Sequence, residues 1–223
     1  MNRSDFKAFL AELLGTFTLV FIGAAAVIAA PQFGVAVPAF AHGLALVGIV
    51  FVYGPFSGAH VNPAVTLGVF VAGRISASKM IQYWVAQFIG GIIGGVFAVA
   101  LMNTGAADFN YGQTLGSIDP LDFRVMAIEA VLTFFLVAAV LQTAVFGRGG
   151  ALAPLAIGLT LTFAIFAGGA FTGASLNPAR TIGSALAAGD LSYILPYIIG
   201  PSVGGAVAAL VNAFLLGPDG EAQ

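Results

Sequence analysis

The chain carries the tripeptide Asn-Pro-Ala twice, each time inside a near-copy of one eleven-residue segment. Residues 56–66 read Phe-Ser-Gly-Ala-His-Val-Asn-Pro-Ala-Val-Thr, and residues 171–181 read Phe-Thr-Gly-Ala-Ser-Leu-Asn-Pro-Ala-Arg-Thr. Seven of the eleven positions are identical, and the copies lie 115 positions apart in a chain of 223 residues. That spacing makes the protein a duplicated unit. In both halves the motif is a polar, Gly/Pro-rich interruption of hydrophobic sequence. Matched interruptions of this kind point to a binding or conduction site at a repeat interface inside a membrane.

Composition fixes the solvent. Hydrophobic residues make up 60% of the chain and charged residues 7%, against roughly 25% charged in a soluble domain. Such a chain cannot cover a water-facing surface. Apolar runs of spanning length recur over residues 9–30, 35–54, 80–102, 123–146, 151–169 and 193–216, which predicts six transmembrane helices. The first run is a span and not a signal peptide: it is long enough to cross, has no clear Ala-x-Ala site and contains Glu12. With no cysteine there is no disulfide and no cysteine-based metal site. A net charge of −2 with scattered Lys and Arg leaves no nucleic-acid patch. Neither cofactor nor metal is expected.

Two shorter apolar segments, 62–72 and 177–187, open on the motifs. Eleven residues make a helix of about 16 Å, half of a ~30 Å hydrocarbon core. They read as re-entrant half-helices, with Asn62 and Asn177 as N-caps, Pro63 and Pro178 at the first helical position, and Gly73 and Gly189 as stops. Each half then has three spans and one half-helix. An odd number of spans inverts the second half, so the half-helices enter from opposite faces and their N-termini meet near the midplane. The repeats are assigned to residues 1–110 and 122–223, with 111–121 as an extracellular linker. This linker lies within a polar stretch from Asn103 to Asp122 that reads as ordered only by packing. Glu12 and Glu129, Gly43 and Gly158, and Gly90-Gly91 and Gly204-Gly205 are further matched pairs. Arg3, Lys7, Arg74, Lys79 and Arg148 fall on one side of this topology. By the positive-inside bias both termini are cytoplasmic, in a plasma (inner) membrane.

Opposed half-helix N-termini concentrate positive potential, and the Asn62 and Asn177 amides add N–H donors there. A passing water would accept from both; cations and a proton-conducting water chain would be opposed. The carbonyls of Gly58, Ala59, His60 and Val61, and of Gly173, Ala174, Ser175 and Leu176, have no helical partner in this reading and line a single-file path.

Residues 57–66, the sequence Asn177-Pro178-Ala179-Arg180 and the six-span plan resemble the aquaporin (major intrinsic protein) family over nearly the whole chain. The resemblance implies an aquaporin-like fold, a homotetramer with one pore per subunit, and passive conduction of water without catalysis. It places the outer constriction at His42, Ile165, Ala174 and Arg180. Strict water channels of the family usually have Phe and His at the first two of these positions. The set here is similar to that of plant tonoplast-type aquaporins, which adds ammonia and urea as candidate solutes; a channel of this kind could also pass hydrogen peroxide. Thr181 and Ala185 stand where glycerol facilitators typically carry Asp and a basic residue, which favours the water-channel branch.

The remaining polar residues have two readings each. Arg180 at membrane depth is functional by default, and is read as both bracing loop carbonyls and donating to pore water. His42, twenty residues before Asn62, is read as pore-facing and not merely packed, and its ionisation would then alter permeation. His60 is read as supporting its half-helix, with no gate assigned. Glu12 and Glu129 are either a proton relay or caps for orphaned loop N–H groups; their symmetry favours caps. The paired glycines read as close packing between spans within a subunit, and Tyr83 and Trp84 as interfacial anchors. An ion-coupled transporter also fits inverted repeats and broken helices, but it needs a coupling-ion site where the interior offers two symmetric carboxylates. A membrane enzyme lacks a nucleophile–base pair. The partners expected are the lipid bilayer, water and small neutral solutes.

Overall fold

The computed structural model describes residues 3–29, 34–102 and 111–218. Residues 103–110, the first part of the polar stretch that runs to Asp122, lie outside the described residues. The elements run α1 (Arg3–Ala29), α2 (Ala36–Ser57), α3 (Pro63–Val71), α4 (Ala77–Met102), α5 (Phe123–Ala139), α6 (Ala153–Thr172), α7 (Pro178–Ala188) and α8 (Ile194–Ala209). No strand occurs among the described residues. Six helical stretches are long and apolar enough to cross a membrane. The order long, long, short, long occurs twice, which is the inverted repeat expected from the duplicated motif.

Helix ends differ from the hydropathy reading for physical reasons. Helix α1 already includes Arg3, because its charged first turn is helical without being apolar. Helices α2 and α6 run on to Ser57 and Thr172, into the motif itself. Each is stopped by a left-handed glycine, Gly58 at φ 84° and Gly173 at φ 83°, a conformation that lacks the Cβ penalty only in glycine. Helices α5 and α8 end in π-helical turns, Val140–Val145 and Leu210–Leu215. Gln142 Nε2 on the first turn donates to Asn212 Oδ1 on the second at 3.0 Å.

In lipid, apolar burial does not drive helices together, so small residues that allow close approach take over. The two Gly-Gly pairs do this in matched fashion. A Cβ at Gly90 would lie 2.2 Å from the Leu13 carbonyl oxygen of α1, and one at Gly204 would lie 2.1 Å from that of Ala130 on α5. Their neighbours clasp the half-helices of the opposite repeat. A Cβ at Gly91 would lie 2.5 Å from Ala179 O, and one at Gly205 2.5 Å from Ala64 O. Thus α1 packs on α4 and α5 on α8, α2 crosses α6, α4 holds α7, and α8 holds α3. Large apolar side chains such as Leu44, Phe51, Leu101 and Leu215 are left exposed on the rim, where the bilayer is their solvent.

At one end Lys79 pairs with Asp5 at 3.2 Å, and the Arg74 and Arg148 guanidinium groups both lie over the Phe146 ring. At the other, Asp122 caps α5 and pairs with Arg124 at 2.7 Å.

Candidate functional site

Each re-entrant loop is organised by one fully buried glutamate from the first span of its half. Glu12 accepts from the Ser57 hydroxyl at 2.6 Å, from the His60 and Val61 N–H groups at 2.9 and 2.7 Å, and from Gln87 Nε2 at 2.7 Å. Glu129 accepts from the Thr172 hydroxyl at 2.7 Å and from the Ser175 and Leu176 N–H groups at 3.0 and 2.8 Å. These N–H groups have no helical partner, and leaving them bare in a dry interior would cost roughly 1–3 kcal/mol each.

The glutamates also offset backbone strain. Ala59 and Val61 have φ of 49° and 45°, and Ala174 and Leu176 have φ of 44° and 54°. Alternate left-handed residues cost on the order of 1–3 kcal/mol each, most for β-branched Val61. The carboxylate bonds to residues 60, 61, 175 and 176 hold the loops in this form.

The loops deliver the chain to Asn62 and Asn177. Both are extended, and their Oδ1 atoms accept from Ala64 N at 2.8 Å and from Ala179 N at 3.0 Å. The amide ends cross over. Asn62 Nδ2 donates to Leu176 O at 2.8 Å, and Asn177 Nδ2 donates to Val61 O at 2.9 Å. The Val61 and Leu176 carbonyls, which the sequence reading left without a helical partner, thus each accept from a side-chain amide of the opposite repeat. Buried carbonyls require donors, and the facing amide supplies one. Each Nδ2 keeps one further N–H.

Behind each motif a threonine gathers side chains. Thr66 donates to Asn62 O at 3.0 Å and accepts from Gln87 Nε2 at 2.8 Å. Its single proton is therefore committed, and His60 Nδ1, 3.2 Å away, must be the donor. In the second half Thr181 contacts Ser175 Oγ at 2.6 Å and Thr114 Oγ1 of the linker at 3.0 Å. The linker is thus held by more than packing: Ser117 and Ile118 also donate to the Ala170 and Phe171 carbonyls. Tyr83 and Trp84 are a correction. Tyr83 is buried and donates to Ser57 O at 2.8 Å, and the Trp84 indole donates to Pro63 O at 3.0 Å. They serve carbonyls at the two ends of the first loop, on Ser57 and Pro63, where the sequence reading had membrane-interface anchors.

A narrow cavity runs past these groups. It is lined by Asn62, Asn177, the loop residues Gly58, Ala59, His60, Val61 and Ser175, and an apolar wall that includes Leu19, Leu46 and Leu161. Its volume is about 30 Å³, where one water needs about 10–15 Å³, so it admits a short single file. It shares His42 and Arg180 with a wide outer cavity of about 390 Å³, and Val50 and Gly58 with another of about 390 Å³ at the opposite end. The succession wide, narrow, wide is that of a pore.

Of the four residues assigned to the constriction, His42, Ile165 and Arg180 border the outer cavity. Ala174 does not; the linings take in Gly173 and Ser175 on either side of it. Of the eight loop residues whose carbonyls were assigned to the path, Leu176 is likewise absent from both linings. His42 is fixed by Nδ1 donating to Pro38 O at 2.7 Å, which leaves Nε2 as the acceptor. Its ring occupies the space a side chain at Gly23 would fill, 2.0 Å from the Cβ position. Arg180 is 3% exposed and donates to Ser184 Oγ at 3.2 Å. Among the described residues no cluster of His, Cys, Asp and Glu has metal-binding geometry.

Sequence reasoning missed the linker's part in the outer cavity, where Gln113 and Leu115 join His42 and Arg180. No periodicity or motif marks these residues.

The profile of the family described as major intrinsic protein matches residues 1–212. Probable aquaporin TIP3-2 of Arabidopsis thaliana is 38% identical over 97% of this chain and 86% of its own length. Aquaporin TIP1-2 of Zea mays is 40% identical over 92% and 84%, and aquaporin-8 of Mus musculus 38% identical over 93% and 81%. Among solved structures, the aquaglyceroporin from Plasmodium falciparum superimposes with a TM-score of 0.82 over 95% of this chain and 97% of that one, at 24% identity. That last likeness is one of fold.

Proposed function

The chain belongs to the major intrinsic protein family, and from that membership and its pore geometry we infer a passive membrane channel for water that excludes protons and ions. One observation carries the reading: the narrow cavity is lined by both of the crossed asparagines, Asn62 and Asn177. A water there accepts from the remaining Nδ2–H of Asn62 or Asn177. The opposed N-termini of α3 and α7 present positive potential at that point, so a water must turn its oxygen inward and the proton wire through the file is interrupted. Arg180 adds a fixed positive charge at the outer end and opposes cations before they reach the motifs. Flux follows the osmotic gradient, and no bond is made or broken.

His42, Ile165, Ala174 and Arg180 form the selectivity filter in this proposal. Ile165 removes a polar side from the constriction, which favours entry of small neutral solutes such as ammonia, urea or hydrogen peroxide alongside water. The functional unit is a homotetramer in the cell's plasma (inner) membrane, with residues 1–110 and 122–223 as the two repeats. Both termini lie in the cytoplasm, which accounts for the shared end of Lys79, Arg74 and Arg148.

Stopped-flow light scattering on proteoliposomes tests the function. Fast shrinkage in sucrose with a low activation energy is expected. Shrinkage no faster than that of empty vesicles, from folded protein, would overturn the reading. Single cysteines Ser4→Cys and Asp119→Cys test orientation in intact cells: an impermeant maleimide should label the second and spare the first.

A further inference from the structure

The end of the molecule that carries Arg74, Lys79 and Arg148 holds more positive charge than the carboxylates around it answer. Among the described residues, the carboxylate at that end outside the buried Glu12 network is Asp5, and Lys79 takes it at 3.2 Å. Arg148 stands on the short turn between α5 and α6 and is exposed, yet its guanidinium is held in place. Its Nη1 donates to Gln142 Oε1 and, at 3.1 Å, to Leu216 O. Gln142 in turn donates to Asn212 Oδ1, so the group is clamped between the π-helical turns that end α5 and α8.

The clamp spends both protons of Nη1. The opposite edge of the guanidinium, made of Nε–H and Nη2, forms no hydrogen bond among the described residues. That edge is a fork that matches two oxygens of one phosphate. The Arg74 guanidinium stands near it, since the two groups lie 5.2 and 6.0 Å from the centre of the same Phe146 ring. An anion on the Arg148 fork is therefore attracted by both.

Apolar surface runs up to this charge. Leu195, Ile199, Val203, Val207, Leu210 and Phe214 are exposed along α8 and its π turn. Their spacing of three or four residues puts them on one face. From Val203 to Phe214 the stripe is about 16 Å long. Leu216, whose carbonyl holds Arg148, is 56% exposed at its end.

We propose that Arg148, with Arg74 beside it, is the headgroup site of one anionic phospholipid whose chains lie along the α8 stripe. The occupant is a lipid because the stripe leading to the charge already has the bilayer as its solvent, and basic pockets at the ends of spanning helices suit charged headgroups. A zwitterionic lipid brings a cation of its own, which the two guanidinium groups repel. The bound phosphate ties down the turn that supplies Thr143, Gly147 and Gly150 to the cavity at this end. The site lies outside the pore and does not depend on what the pore conducts.

The test is lipid retention by the whole protein in detergent, phosphatidylglycerol against phosphatidylcholine of the same chains, read by native mass spectrometry. The unaltered protein should hold phosphatidylglycerol about tenfold more tightly, the scale expected of this pair of cations. Arg148→Gln should cut that preference about fivefold, and Arg148→Lys, which keeps the charge without the fork, should fall between. Lys7→Gln removes a charge from the same end but off the stripe, and should leave the preference within about twofold. Equal retention of the two lipids by the unaltered protein would overturn the proposal before any variant is made. So would a loss in Lys7→Gln that matches the loss in Arg148→Gln, which would mean net charge and no site. Displacement of the lipid by soluble glycerol phosphate would overturn it in favour of a free anion. Elution as a single symmetric peak in detergent establishes that each variant is folded before its lipids are counted.

Discussion

The two re-entrant loops are the same machine built twice, with two parts exchanged. Tyr83 donates to Ser57 O at 2.8 Å, and Tyr197 donates to Thr172 O at 2.6 Å. Ser57 and Thr172 each donate to the glutamate and each accept from the N–H of the alanine two residues on, at 3.0 Å in both loops. The threonines one turn above the glutamates, Thr16 and Thr133, bond the Glu12 and Glu129 carbonyls at 2.7 Å each. Against this sameness stand two differences. Val65 in the first half-helix corresponds to Arg180 in the second. The threonine behind the first motif is served by Gln87 of α4, and that behind the second by Thr114 of the linker. The glutamate, hydroxyl and tyrosine that shape the backbone occur in both copies, whereas Arg180, which borders the outer cavity, occurs in one. In the channel we propose, selectivity would lie in that broken symmetry.

Removing a shared part should do the most damage. Glu12→Ala strips the acceptor from four donors and Glu129→Ala from three, so each should destabilise by about 3–5 kcal/mol, the scale of breaking a buried polar network. Thermal unfolding in detergent should rank Glu12→Ala as the worse; equal or negligible losses would break the comparison. Arg180→Val makes the second half-helix repeat the first. The protein should fold, and the passage of cations or protons, followed with a pH-sensitive dye inside vesicles, should rise about tenfold, a loss of ~1.4 kcal/mol of barrier.

Gly91→Ala and Gly205→Ala drive a Cβ into the backbone of α7 and α3, and overpacking of this kind costs typically 1–3 kcal/mol. Equal losses in melting temperature would sharpen the symmetry, since the blocked contacts are both 2.5 Å. Thr114→Val leaves Thr181 with Ser175 and should cost only about 1 kcal/mol. The smallest expected effect is none: with no cysteine in the chain, mercurials at low dose should leave water flux unchanged in the same vesicles.

Much of this was legible before any coordinates. The six spans follow from apolar runs, and the half-helices from Asn-Pro at the head of segments too short to cross. Glu12 and Glu129 stood out because a charge in an apolar helix has to be explained. What could not be read is whatever depends on segments far apart in the chain. Neither the crossing of the asparagine amides nor the service of Tyr83 and Trp84 to carbonyls at the ends of the first loop has a local signal. Gln113 and Thr114 sit in a polar run with no period, so nothing separates them from neighbours that only connect. The π turns at Val140–Val145 and Leu210–Leu215 leave no mark in composition either, because their residues suit an α-helix equally well.

The crossed amides also bear on how the molecule is made. Asn62 finishes its bonding on Leu176, 114 residues further along, and α3 is clasped by Gly205 of the last span. During synthesis the first half-helix therefore emerges long before the groups that house it exist. Its loop can rest on Glu12 and Gln87, both already made, but its tip has to wait. The centre of the pore cannot be completed until the second half has been made. A chain stopped short of α8 would carry its first half-helix without the span that clasps it.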